Sequence, residues 1–175
     1  ETWDVPLFLS GHLHVQHCKR SEDNRGIWEM VTASLATPSC KYAILTYRDD
    51  RSFLYRTQSL DVEAWAKKNQ CTEEDLLNFK QFQTPFLRRV FYNQAIASLN
   101  EVPELTDSER EQMAQLYSLL KFHYYQGTAY QVQEPVRNDP AYELWQEDGM
   151  ATQQGEYFRY ILEDGKRDYN RLEVN

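Results

Sequence analysis

The hydrophobic pattern of the chain changes within residues 57–68, which read TQSLDVEAWAKK. Before this stretch, β-branched and aromatic residues alternate in short runs separated by polar clusters, which is typical of strands joined by turns. After it, apolar residues recur at spacings of three and four, and Ser59 or Asp61 can cap a first helix. The sequence therefore predicts an α+β protein with two domains, short strands in residues 1–61 and a mostly α-helical bundle in residues 62–175.

The strand region contains a predicted β-hairpin. Residues 41–47 and 52–57 form its two strands, and the polar residues 48–51 connect them. Two further apolar segments, residues 4–10 and 26–35, are also predicted strands.

The helical region contains five predicted helical segments. They cover residues 61–68, 72–99, 106–127, 139–147 and 152–172. Pro85 lies inside the second segment, which is therefore kinked or divided in two. Thr106 and Glu109 form a capping box at the start of the third. Residues 128–137 are predicted to be irregular.

Two apolar stripes predict the helix faces that are buried. The stripe on the second segment consists of Leu76, Phe79, Phe82, Phe86 and Val90. The stripe on the third consists of Met113, Leu116, Leu120 and Tyr124. Both stripes are more typical of a packed core than of a cofactor site.

Two histidines follow the first predicted strand, in the tetrad Gly11-His12-Leu13-His14. In extended backbone the two side chains would point to opposite faces, so they converge only where the chain turns. We expect Gly11 to supply that conformational freedom. Neutral imidazole is a ligand for zinc, manganese and iron, and two metals about 3.5–4 Å apart promote phosphoester cleavage. The tetrad indicates half of a metal site; the alternative is an exposed loop pair or a strand-end histidine with a structural role.

The tetrad resembles the last signature motif, Gly-His-x-His, of the calcineurin-like metallophosphoesterases. The strands around it are similar to those of the family, and the resemblance covers the first third of the chain. It implies that His12 binds one metal and His14 the other, with two divalent ions (Mn, Fe or Zn) in the intact enzyme. It also implies that the strands belong to one sheet of a two-sheet sandwich.

The helical extension is similar to that of bacterial phosphohydrolases of the cyclic-nucleotide phosphodiesterase type. This resemblance implies a phosphoester small-molecule substrate, a phosphomonoester or a phosphodiester such as a cyclic nucleotide, hydrolysed by a two-metal mechanism. The catalytic residues themselves are not assigned.

The other metal-binding motifs of the resembling family do not occur in the sequence. It contains no Asp-x-His, Gly-Asp or Asn-His pair, and the chain begins with Glu1, eleven residues before His12. We therefore expect a C-terminal fragment whose N-terminal catalytic portion supplies the missing ligands, and we expect the fragment alone to be inactive. The family motif ends at His14, so His17 is not expected to bind metal, and His123 is expected to be a packing or surface residue.

Composition excludes several classes of function. The net charge is −8, and most of the acidic excess lies after residue 61, which argues against binding a nucleic-acid polymer through bulk electrostatics. No apolar run approaches the roughly 20 residues of a transmembrane helix. Three cysteines without Cys-x-x-Cys spacing favour a reducing compartment such as the cytoplasm, while a secretion signal upstream of Glu1 stays open.

A second hypothesis is a non-catalytic helical interaction or assembly module. In that case the acidic helical region would contact another subunit or cover a substrate cleft. Exposed aromatic side chains at Tyr124, Tyr125, Tyr130 and Trp145 would support it.

Overall fold

The computed structural model describes residues 6–22, 26–50 and 52–175. Within these ranges the chain forms six strands: β1 (Leu7–Ser10), β2 (His17–Arg20), β3 (Trp28–Val31), β4 (Lys41–Tyr47), β5 (Phe53–Ser59) and β6 (Arg171–Val174). They make two three-stranded sheets, with the strand orders β1-β3-β2 and β4-β5-β6. Together with the helices, these sheets confirm the predicted α+β class. The expectation that the strands belong to one sheet is wrong, because they divide between two sheets.

The first sheet is mixed. β3 lies in the middle, parallel to β1 and antiparallel to β2. The strand predicted at residues 4–10 is observed as β1, and its residues 4 and 5 lie outside the described residues. The segment predicted at 26–35 is extended only at β3, and β2 was not predicted.

The second sheet contains the predicted hairpin. β4 and β5 pair antiparallel from Lys41↔Ser59 to Tyr47↔Phe53, which confirms the hairpin, although its second strand ends two residues later than predicted. Arg51, in the predicted connection, is outside the described residues. β6 adds to the other side of β5, with Phe53 opposite Val174.

The described residues contain seven α-helices, joined in places by short 3-10 turns. These are α1 (Val62–Lys68), α2 (Glu74–Leu77), α3 (Phe79–Leu99), α4 (Asp107–Tyr125), α5 (Gln133–Arg137), α6 (Ala141–Glu147) and α7 (Gln153–Asp164). The side chain of Asp61 caps α1 by accepting from the Ala64 N–H, and the Thr106–Glu109 capping box is present at the start of α4. None of the seven helices combines the length and the apolar character that crossing a bilayer requires.

Three helix predictions are wrong in their boundaries. The chain leaves helical angles at Asn78 (φ −119°, ψ 36°), and α3 then runs through Pro85. Residues 128–137, predicted to be irregular, contain a 3-10 turn and α5. The last helix ends at Asp164, after which exposed and half-buried residues alternate along β6 as strand geometry requires.

The helices enclose an aromatic core. Trp145 is fully buried between Tyr117 and Phe158, with ring centroids 5.6 Å and 5.1 Å away. The predicted stripe of α4 is buried, as expected.

The stripe predicted for α3 is wrong. Phe82, Phe86 and Val90 are 37–47% exposed. The buried residues of α3 are Leu87, Phe91, Ala95 and Leu99. The helix therefore packs on α4 through residues that come one position after the predicted ones, such as Leu87 instead of Phe86. Phe82 and Phe86 remain at the surface.

Gln16 links the strand and helical regions. Its buried side chain donates from Nε2 to the Tyr55 hydroxyl (3.0 Å) and to the Tyr169 carbonyl oxygen (2.8 Å). Its backbone N–H donates to the Tyr125 carbonyl oxygen at the end of α4 (3.3 Å). The division into two domains after residue 61 stays a prediction, and the contacts of Gln16 with Tyr125 and Tyr169 cross it.

Candidate functional site

The turn Gly11–His14, which follows β1, has an unusual backbone. His12 (φ 79°) and His14 (φ 58°) both adopt left-handed angles, whereas Gly11 has a negative φ. The expectation that Gly11 supplies the freedom of the turn is therefore wrong, because the two histidines adopt the left-handed angles themselves. A non-glycine residue in this region costs about 1–3 kcal/mol, and such conformations cluster at functional sites.

The turn is exposed to solvent, and the residues that follow it are buried. Residues 11–14 are exposed, and the next four residues, 15–18, are buried. Both imidazoles can therefore be reached by an ion, and their nitrogen donors suit Zn, Mn or Fe. In residues 6–22, 26–50 and 52–175, no three His, Cys, Asp or Glu side chains are grouped as a metal site would need. The two histidines thus fit part of a ligand set.

His17 and His123 have structural contacts. His17 is buried, its Nε2 lies 2.6 Å from Asp164 Oδ2, and its ring packs 4.3 Å from the ring of Tyr169. The contact joins β2 to the end of α7. His123 Nδ1 lies 3.0 Å from Thr128 Oγ1, and burial, with nearby Arg88, lowers its pKa. Its partly buried position agrees with the predicted packing role.

A cleft of about 520 Å³ opens beside the turn. It is lined by Leu13 of the turn and by residues of α4 and α7: Lys121, Tyr125, Gln153, Gln154, Glu156, Tyr157 and Tyr160. Sequence reasoning missed this cleft, because the lining residues are brought together only by helix packing. The available signal was Lys121, a charged residue next to Leu120 on a helix whose apolar stripe is buried.

Lys121 is the most buried cation in the cleft, with 7% of its surface exposed. Its Nζ donates to Gln94 Oε1 and to the Tyr117 hydroxyl, both at 2.9 Å. The nitrogen also lies 4.8–5.1 Å from the ring centroids of Phe91, Tyr117 and Tyr157. Burial lowers the pKa of Lys121 to about 8, so the group remains mostly charged at neutral pH.

The four aromatic residues considered for an interaction surface differ in exposure. Trp145 and Tyr124 are buried, and Tyr125 is half-buried. Tyr130 is exposed. Trp145 and Tyr124 therefore belong to the core, which removes much of that support for the assembly hypothesis.

Comparison with known protein families assigns a family to the helical region. The family model for the C-terminal domain of cyclic nucleotide phosphodiesterase matches residues 61–168, which include α1–α7 and Lys121. No curated protein matches the chain. The match covers more than half of the 175 residues. It indicates a phosphodiesterase-related C-terminal fragment, with a hydrolase as the parent protein. The turn with His12 and His14 lies outside the matched residues. The chain therefore belongs to the family of the C-terminal domain of cyclic nucleotide phosphodiesterase.

Proposed function

We propose that the chain is the C-terminal part of a calcineurin-like metallophosphoesterase in which His12 and His14 each bind one of two divalent cations. The observation that carries this proposal is the left-handed backbone of both histidines on an exposed turn after β1. This turn adjoins a helical region of a phosphodiesterase family. Strain at two neighbouring positions is retained when the surrounding structure and the function require it.

The imidazoles would hold Mn, Fe or Zn, and the remaining ligands would come from an N-terminal catalytic portion. When bound, two cations neutralise the charge that builds on the oxygens of a phosphomonoester or phosphodiester during hydrolysis. The contribution of this chain is to hold two nitrogen donors on a short, strained turn. The buried residues 15–18 fix the base of that turn.

The first sheet supports the proposal of an N-terminal catalytic portion. β1 is an edge strand that pairs in parallel with β3, and the described residues supply no strand on its other side. Phe8 and Leu9, whose side chains point to opposite faces, are 56% and 57% exposed. Parallel strands are ordinarily covered on both faces. A strand and packing layers from the catalytic portion would cover these apolar groups.

Metal binding by the chain itself tests the ligand assignment. Titration with Mn²⁺ should broaden the ring NMR signals of His12 and His14 before those of His17 and His123. The affinity should be weak, because two ligands cannot fix two cations. Equal broadening of all four rings would contradict the assignment.

Activity of the parent protein tests the reaction. We expect His12→Ala and His14→Ala each to reduce phosphodiesterase activity at least about a hundredfold and to lower the bound metal content. Leu60→Ala is the control, since Leu60 is likewise an exposed leucine and does not line the cleft beside the turn. Full activity in both histidine variants would reject the proposal.

A second candidate is a helical interaction or assembly module. It is favoured by the exposed stripe of Phe82, Phe86 and Val90 on α3. Activity that survives both histidine substitutions but is lost on deletion of residues 62–175 would favour this function.

A further inference from the structure

Lys121 has no oppositely charged partner in the part of the chain that the structure describes. Among the described residues it forms no ion pair, and its two acceptors, Gln94 Oε1 and the Tyr117 hydroxyl, are uncharged. An ammonium group has three N–H donors, so one remains. The surrounding aromatic faces stabilise the cation without removing its capacity to bind an anion.

Lys41 provides a matched comparison. It is equally buried, and burial likewise lowers its pKa to about 8. Its Nζ donates to the Gln126 carbonyl oxygen (2.6 Å) and to Asn170 Oδ1 (2.7 Å), and Asp168 lies near enough to favour its charged form. Lys41 also lines a cavity, of about 400 Å³, but Asp168 lies near its charge, whereas among the described residues no carboxylate lies beside Lys121.

The polar groups of the cleft form a connected set. The Tyr117 hydroxyl accepts from Lys121 and donates to Gln154 Oε1, which leaves the Nε2–H groups of Gln154 as donors. The volume of about 520 Å³ is within the usual range for small-molecule sites. Glu156 contributes the one carboxylate among the lining residues, and it is exposed.

We propose that Lys121 binds the phosphate group of the substrate in the cleft formed by the turn Gly11–His14 and helices α4 and α7. This inference rests on the proposed function and adds a binding residue to it. Leu13, which lies between His12 and His14 in the sequence, lines this cleft. An anion held by Lys121 would therefore lie next to the turn that carries the two candidate metal ligands. Lysine binds phosphate as a point charge, and the buried position strengthens the attraction.

Titration of the 175-residue chain with inorganic phosphate tests the proposal. The measurement is made by NMR at pH 7 and low ionic strength, with a chelator present. We expect shifts centred on Leu13, Lys121 and Tyr157, and at least about tenfold weaker binding in Lys121→Met. Lys41→Met, the matched control, should bind phosphate as the wild type does.

Two exposed positions keep the test decisive if Lys121→Met does not fold. Gln153→Glu adds a negative charge to the cleft and should weaken binding about threefold, while Glu156→Gln removes one and should strengthen it about twofold. Absence of phosphate binding by the wild type, or the same affinity in Lys121→Met and wild type, would overturn the proposal. So would unchanged affinity in both exposed variants.

The proposed function and this inference fail separately. With metal removed, His12→Ala and His14→Ala should leave phosphate affinity unchanged. Loss of the histidine–metal assignment would leave the phosphate titration valid, and loss of phosphate binding would leave the metal titration valid.

Discussion

The helical and strand regions bury their apolar side chains in different ways. The helices share a continuous core around Trp145, which α4, α6 and α7 enclose. The strand region has a small cluster of five buried residues, one of which, Tyr169, comes from the C-terminal end of the chain. Phe8 and Leu9 are left exposed on β1. The difference indicates that the helices supply most of the stability, while the strands leave part of their apolar surface exposed.

A large effect is expected at Gly155, inside the helical region. A Cβ at this position would overlap the carbonyl oxygen of Gly149, a backbone atom that cannot move without displacing α7. Gly155→Ala should therefore reduce the free energy of unfolding by about 3 kcal/mol in urea denaturation.

Gly11→Ala is the control for this prediction in the strand region. Among the described atoms none lies within 4 Å of a Cβ placed there, and its φ is negative. We expect a change of less than about 0.5 kcal/mol. Equal effects at the two glycines would contradict the contrast between the regions.

An intermediate effect is expected from pH, because each region holds one buried lysine. Burial lowers the pKa of Lys41 and of Lys121 from 10.5 to about 8. At each of these two lysines the unfolded state therefore binds more protons than the folded state between pH 8 and 10, so each lysine contributes a rise in the free energy of unfolding with pH. We expect a rise on the order of 1 kcal/mol per lysine, measured by urea denaturation.

Single substitutions separate the two contributions. Lys41→Met should remove the rise due to the strand region, and Lys121→Met the rise due to the helical region. Above about pH 10 the free energy of unfolding should fall, because burial raises the pKa of Tyr169 to about 12. The unfolded chain then loses its tyrosine protons at a lower pH than the folded chain does. The buried Cys18 thiol, whose pKa burial raises to about 12, lowers the free energy of unfolding already between pH 8 and 10. The same pH dependence in both lysine variants as in the wild type would show that neither lysine is buried as described.

The smallest effect is expected at the exposed edge of the strand region. Phe8→Ser should change the free energy of unfolding of this chain by less than about 0.5 kcal/mol, because Phe8 is already more than half exposed. Phe53→Ser, the matched control at a fully buried phenylalanine, should cost about 3–5 kcal/mol. If Phe8→Ser were as costly as Phe53→Ser, β1 would be covered within this chain.

Local signals in the sequence predicted the elements that depend on neighbouring residues. The β4–β5 hairpin, the Thr106–Glu109 capping box and the buried stripe of α4 depend on short spacings and were all correct. The face that α3 buries and the strand β6 depend on distant partners. A stripe containing Phe82 and Phe86 satisfies helical spacing equally well, so periodicity alone could not choose the face.

The same distinction between local signals and distant partners applies to the residues of the candidate site. The exposed pair His12 and His14 could be identified from four consecutive residues, but the left-handed angles of both histidines could not. Lys121 was missed because its environment comes from α3, α4 and α7 together. Residue type and spacing therefore indicate donors, whereas packing decides which of them share a cleft.

The pairing of β5 with β6 has a consequence for the order of folding. Phe53 and Val174 are opposite each other although more than a hundred residues separate them in the chain. During synthesis the β4–β5 hairpin is made long before its third strand, and closing so large a loop is entropically costly unless the intervening helices have already become compact. The helices would thus have to pack before β6 can reach β5, and pairing of β6 with β5 should be a late, slow step of folding.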